Sequence, residues 1–354
     1  TEAAGGTVPD HTILALAPRD LAIVGLIENR ATVLVAAVLG TLWESGMIER
    51  AVSRIGIDVA GGVLRRLFVS IFRHGTLPFD DILRAAPAIV GLLIVLRILS
   101  VIWAIVRLYG FRLTLAGADL RTEYGLLTRV SATVPLHRIQ TLTVQRGLIH
   151  RWFHRASVRV ETAGGQAAGD AAGQSSRRRE SLAPIITAPE IPVLLRVVLP
   201  DLNVEDLVWH GPAAGALGRE LRARLIIAML GAVLSAFVLG WWSIALLALF
   251  IPWAWTSARL YTAHLGWALI DGAVLFRTGW IWRHLTVARF SKVQAVSMTE
   301  SPFDRRHGMA SVRVDTAGAG AASHRVHIPY LRVETAAQLF DQLGTAAART
   351  AFRW

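Results

Sequence analysis

Long apolar runs and short alternating stretches divide this chain. The runs lie at 31–47, 85–107 and 222–258. A helix that crosses a bilayer needs about 20 apolar residues. The first run, "ATVLVAAVLGTLWESGM", is short and carries Glu44 near one end. The second, "AAPAIVGLLIVLRILSVIWAIV", is interrupted only by Arg97. The third is too long for one helix and has Gly240 near its centre, which predicts a hairpin of two spans over 224–239 and 242–258. Trp241, Trp242, Trp253 and Trp255 stand where an interfacial aromatic belt forms.

Elsewhere the hydrophobic period is two. "FRLTLAGADLRTEYGLL" alternates apolar and polar residues around a Gly-Ala-Asp turn, and "IQTLTV" and "SVRVET" alternate with many β-branched residues. These predict short antiparallel strands with one buried face. The polar stretch "QAAGDAAGQSSRRRES" predicts a flexible hairpin loop, and a strand "LAPIIT" follows it. "APEIPVLLRVVLPDL" then opens with prolines at a helix start. The same ending, strand then helix, recurs as "HRVHIPY" before "RVETAAQLFDQLGTAA", and as "TILAL" before "APRDLAIVGLIENR".

The alternating part is written twice. "ASVRVETAG" ends at Gly164 and "ASVRVDTAG" at Gly318. At that offset of 154 residues, 111–164 aligns without a gap on 265–318. Gly125 meets Gly279, Arg129 meets Arg283, and Arg138-Ile139-Gln140 meets Lys292-Val293-Gln294. Two copies of one domain therefore follow two membrane segments. Each copy is expected to hold about seven strands and a closing helix. The opening "TEAAGG" echoes Glu161-Thr162-Ala163-Gly164-Gly165, which predicts that residue 1 lies inside an earlier copy.

Composition agrees with the membrane reading. Hydrophobic residues make up 53% of the 354, too many for an ordinary soluble domain, and the formal net charge is +12. With long apolar runs present, that charge points to an anionic membrane surface rather than to nucleic acid. Arg107 and Arg112 stand at and beyond the end of the second run; Arg219, Arg222 and Arg224 lead into the hairpin, and Arg259 follows it. By the positive-inside rule 108–223 and 259–354 face the cytoplasm. The outer segment 48–84 breaks the pattern with Arg50, Arg54, Arg65, Arg66 and Arg73. Its "IDVAGGVLRRLFVSIF" fits an interfacial amphipathic helix and fits equally a helix packed on the spans.

The chemistry on offer is sparse. With no cysteine, disulfides and thiolate sites are excluded. No nucleophile–base pair, phosphate loop or pair of catalytic carboxylates emerges, so no enzyme, cofactor or metal is expected. His137, His150, His154, His324 and His327 lack the suitably spaced carboxylates or further ligands of a metal site. Arg97 lies mid-span, where a charge is by default a functional-site candidate. It could meet an acidic partner or a lipid phosphate, or it could pack against the protein's own polar groups. Arg138, Arg146, Arg151 and Arg155, with Trp152 and Phe153, suit anionic headgroups. There each basic residue near the surface is worth about 1 kcal/mol. A solvated domain rim over core aromatics gives the same pattern.

The blocks "PLHRIQTLTVQRGLIHRWFHRASVRVETAGG" and "RFSKVQAVSMTESPFDRRHGMASVRVDTAG" resemble a known family. It is the bacterial pleckstrin-homology-like "membrane-flanked domain" family of the second type, in its long, three-domain form. In that family a basic-apolar-Gln triplet precedes, by about twenty residues, a strand ending in Thr-Ala-Gly. Copy two fits, with Gly308 in place; copy one has His154 where Gly is usual. The resemblance implies an α+β fold of barrel plus C-terminal helix, repeated between α-helical spans. It also implies a shorter single-domain membrane partner, and links to envelope stress and resistance to membrane-active peptides; the expected assembly is with that partner or as a homo-oligomer.

The expected organisation has seven parts. Residues 1–30 end a first pleckstrin-homology-like domain, 31–47 form a span, and 48–84 an extracytoplasmic loop. A second span covers 85–107 and a second domain 108–212. The hairpin at 222–258 leads to a third domain at 259–354. The expected function is a multi-pass scaffold of the bacterial inner membrane that contacts lipids and binds no nucleic acid. A lipid or peptide transporter using Arg97, and a headgroup-binding module, stand as alternatives.

Overall fold

The computed structural model describes residues 11–27, 79–162, 179–200, 207–240, 242–316 and 326–349, with Thr41 and Glu44. The expected span at 31–47, nearly all of the 48–84 segment, the polar stretch 163–178 and His324 lie outside the described residues.

Strand β1 (His11–Ala15) and helix α1 (Pro18–Ile27) form the expected strand–helix tail. Helix α2 (Phe79–Leu108) leads into copy one. That copy holds β2 (Arg112–Ala116), β3 (Asp119–Tyr124), β4 (Val130–Pro135), β5 (Ile139–Arg146), α3 (Leu148–Trp152), β6 (Arg155–Thr162), β7 (Arg179–Thr187) and α4 (Glu190–Val198). Helices α5 (Ala216–Leu239) and α6 (Trp242–His264) form the hairpin, broken where Gly240 takes φ +55°. Copy two repeats the order as β8 (Gly266–Ile270), β9 (Ala273–Thr278), β10 (Arg283–Arg289), β11 (Val293–Thr299), α7 (Pro302–Arg305), β12 (Met309–Thr316), β13 (Val326–Arg332) and α8 (Val333–Arg349). Among the described residues one stretch, Ser243–His264, is long and apolar enough to cross a membrane by length and composition.

Each copy contributes six strands among the described residues, not seven. The seventh place is filled from outside the copy. β1, upstream of the copy, pairs antiparallel with β2, Thr12 against Thr114. At the matching edge of copy two, His210 makes a single antiparallel bridge to Trp267 of β8. A repeat that leaves a strand edge open is completed by its neighbour, because unpaired backbone donors and acceptors template another strand.

The copies are joined in the same way. The sheets run β1-β2-β3-β4, then β7-β6-β5-β10-β9-β8, then β11-β12-β13. The middle sheet is half copy one and half copy two. Sheet β8–β10 buries both faces. Ala268, Ala273, Leu275 and Val287 enter the core shared with copy one, while Trp267, Val274, Phe276 and Ala288 enter the core of copy two. Copies that share a sheet and the first of these cores form one body, so the apolar drive that folds copy one also fuses the two.

Candidate functional site

The join between β5 and β10 is the feature that local sequence does not suggest. Six residue pairs run from Arg283 opposite Arg146 to Ala288 opposite Thr141. Leu285 faces Val144 and Val287 faces Leu142, supplying apolar contact on the core face. On the other face the Thr143 and Thr286 hydroxyls lie 3.4 Å apart. Directly opposed pairs of these kinds each contribute about 0.2–1 kcal/mol.

The end of the join nearest α6 is unusual. Arg146 and Arg283 are directly opposite, and like charges so placed destabilise a sheet. Arg151, on α3, is close enough to Arg283 that partial burial and this neighbour together lower its pKa. Arg283, Arg277 and Arg151 all bear electrostatically on His264, the last residue of α6. Arg277 stacks 4.6 Å above the Trp209 ring. Among the described residues the buried Nε atoms of Arg277 and Arg283 have no hydrogen-bond partner. Exposed aromatics flank the group. Trp152 is 81% exposed and stacks on Phe153 at 6.1 Å, and half-exposed Trp282 lies against Gly147. A cluster of guanidiniums with unmet donors, rimmed by Trp at the foot of an apolar helix, is suited to an anion at a membrane interface.

The expected site residues separate. Arg146 and Arg151 join this cluster. Arg138 sits at the other end of β5, in the short 3-10 turn Leu136–Arg138. Arg155 is held in an ion pair with Asp20 of α1 at 2.8 Å, both side chains largely buried. Arg97 donates to the carbonyl of Leu26 at 3.0 Å, capping the end of α1 where the helix dipole favours a cation. Beside it Ser100 donates to Gly25 O at 2.9 Å, so α1 and α2 are tied along their contact. An apolar groove of about 400 Å³ lies there, lined by Val90, Ile94, Arg97 and Ile102 among others.

His150 is a structural side chain. It is buried, and its Nδ1 accepts from the Gly147 N–H at 3.3 Å, closing the start of α3. Burial, and then Arg159, lower its pKa to about 4, so the ring is a neutral acceptor at neutral pH. Asp304 stands at the same place in copy two, where it closes a capping box with Ser301. His154 takes φ +53° where Gly308 takes +59°, so copy one makes the glycine turn with a histidine.

The arginines ahead of the hairpin are engaged rather than free. Arg219 pairs with Asp304 at 3.2 Å, Arg222 meets His307 at 3.1 Å, and Arg224 pairs with Glu220 at 2.8 Å. Glu220 also accepts a 2.6 Å bond from the Tyr330 hydroxyl, whose pKa burial and this bond raise. The contacts to Asp304, His307 and Tyr330 lock α5 to copy two. Arg277, Arg283, Asp20 and Glu220 escape a reading by sequence spacing. Arg283 was visible only as the mate of Arg129, with nothing to place it against Arg146.

Comparison with known proteins agrees with the geometry. The family model for the bacterial PH domain matches residues 62–200 and 225–347. A curated relative, the UPF0699 transmembrane protein YdbT of Bacillus subtilis (strain 168), is 23% identical over 224 residues. That alignment takes in 59% of this chain and 41% of the relative, so the chain spans less than half of the protein it matches.

Proposed function

The chain belongs to the bacterial PH domain family, and from that premise we propose that it is a non-enzymatic membrane scaffold. In this reading α2, α5 and α6 cross the bacterial inner membrane and the strand-rich copies face the cytoplasm. The copies assemble with each other, and with further copies or a shorter family member, to organise and protect the envelope. The observation that carries it is the edge-to-edge join of β5 and β10. The fold's own mode of association is strand addition, which needs no ligand and leaves further edges to use. Purification in gentle detergent, followed by mass photometry and mass spectrometry, tests it. A homo-oligomer or a stoichiometric small membrane partner is expected. A lone monomer, with its deletion silent under membrane-peptide stress, would overturn the reading.

The guanidinium cluster favours a second element of this function, docking on anionic headgroups. The Arg151→Glu, Arg283→Glu double variant is expected to lose retained phosphatidylglycerol by at least tenfold. Native mass spectrometry of protein taken from mixed neutral and anionic micelles reads this out. Each basic group near such a surface is worth about 1 kcal/mol, and reversal counts twice. Equal lipid retention in both proteins would remove the headgroup role and leave the scaffold.

A further inference from the structure

The repeat makes β11 the counterpart of β5, and β4 the counterpart of β10. Within the chain, the outer edge of β5 receives β10. Among the described residues β11 ends its sheet and β4 ends its own. The consequence shows in burial. Gln140 and Thr141 of β5 are 5% and 3% exposed, whereas their counterparts Gln294 and Ala295 of β11 are exposed. The same positions are covered where the join is made and open where it is not.

We propose that the outer edge of β11 takes β4 of a second copy of this chain, in the register that joins β5 to β10. The proposal deepens the scaffold reading and rests on it. Carrying the observed register over by the repeat offset puts Val130 opposite Thr299, Ala132 opposite Ser297 and Val134 opposite Ala295. It also puts Arg129 opposite Glu300. The internal join has Arg283 opposite Arg146 at this point. The copy-to-copy join therefore gains an opposite-charge pair where the internal one carries a like-charge pair. Arg129 and Glu300 are both exposed. An acidic residue at 300 is the complement an incoming Arg129 requires. Such a contact is head-to-tail: it closes as a ring or continues as a filament, according to the angle each step adds.

The chain has no cysteine, so engineered pairs report contact directly. Residues directly opposite in an antiparallel pair come close enough for a disulfide. Chains bearing Val130→Cys and chains bearing Thr299→Cys, differently tagged, mixed and mildly oxidised, are expected to give a tagged heterodimer. The double variant is expected to give a ladder. Pairing Val130→Cys with Met298→Cys, one residue out of register, should give at least fivefold less. Glu300→Arg should cut the assembled fraction at least fivefold, and adding Arg129→Glu should restore it. A stable oligomer without the in-register cross-link would overturn this interface and leave the scaffold. A bond formed within one chain would overturn it as well. A monomer under every condition would remove both.

Discussion

Gly279→Ala is expected to cost at least about 3 kcal/mol, read as a fall in the thermal or denaturant midpoint of the purified chain. Gly279 opens the turn between β9 and β10 with φ +88°. A Cβ there would lie 1.8 Å from the carbonyl oxygen of Trp282 and 2.9 Å from its carbon. The obstacle is backbone, so no rotamer change relieves it. Opening the turn would move Trp282 and Arg283, and Arg283 is the first residue of the join with copy one. Gly125 repeats the geometry in copy one, at φ +118° with a Cβ 2.0 Å from Thr128 O, and Gly125→Ala should act alike. Gly231, inside α5, would place a Cβ in open space, so Gly231→Ala should be neutral or mildly stabilising. A midpoint unchanged by Gly279→Ala would reject the turn geometry for both copies.

Local pattern carried much of this fold and little of its assembly. The period-two stretches became β2, β3, β5 and β6, the Gly117 turn has φ +62°, and the hairpin breaks at Gly240. Each follows from interactions within a few residues. The strand that pairs with β2 is β1, about a hundred residues upstream, and period alone does not reveal which strands meet. The join of β5 to β10 has the same cause. Each strand reads as a half-buried hairpin strand, and only three dimensions show the two edges in contact. Nearness along the chain groups the basic residues differently from the fold. The eight-residue strand β5 separates Arg138, just before its start, from Arg146 at its end, and Arg155 finds its counter-charge on α1. Their types could be read from sequence, but their partners could not.

The tie between Asp20 and Arg155 supports the second large effect. Removing one partner alone, by Asp20→Ala or Arg155→Ala, is expected to cost about 3 kcal/mol in the unfolding midpoint. It leaves the other charge largely out of water. Asp20 also accepts from the Ala17 N–H at 3.3 Å, so its removal should be the costlier by about 0.5–1 kcal/mol. Copy two shows what an apolar solution looks like. The counterpart of Arg155 is Met309, fully buried and in contact with Gly215. The double variant Asp20→Leu, Arg155→Met should therefore recover most of the loss, retaining only the helix-start deficit. Such recovery would mean that the ion pair fixes how α1 enters copy one without adding net stability over an apolar contact. Single losses below about 1 kcal/mol, or a double variant as unstable as the two singles combined, would contradict this. In either case Asp20 and Arg155 would not share a buried contact, and α1 would be held to copy one by its contacts with α2 and β7.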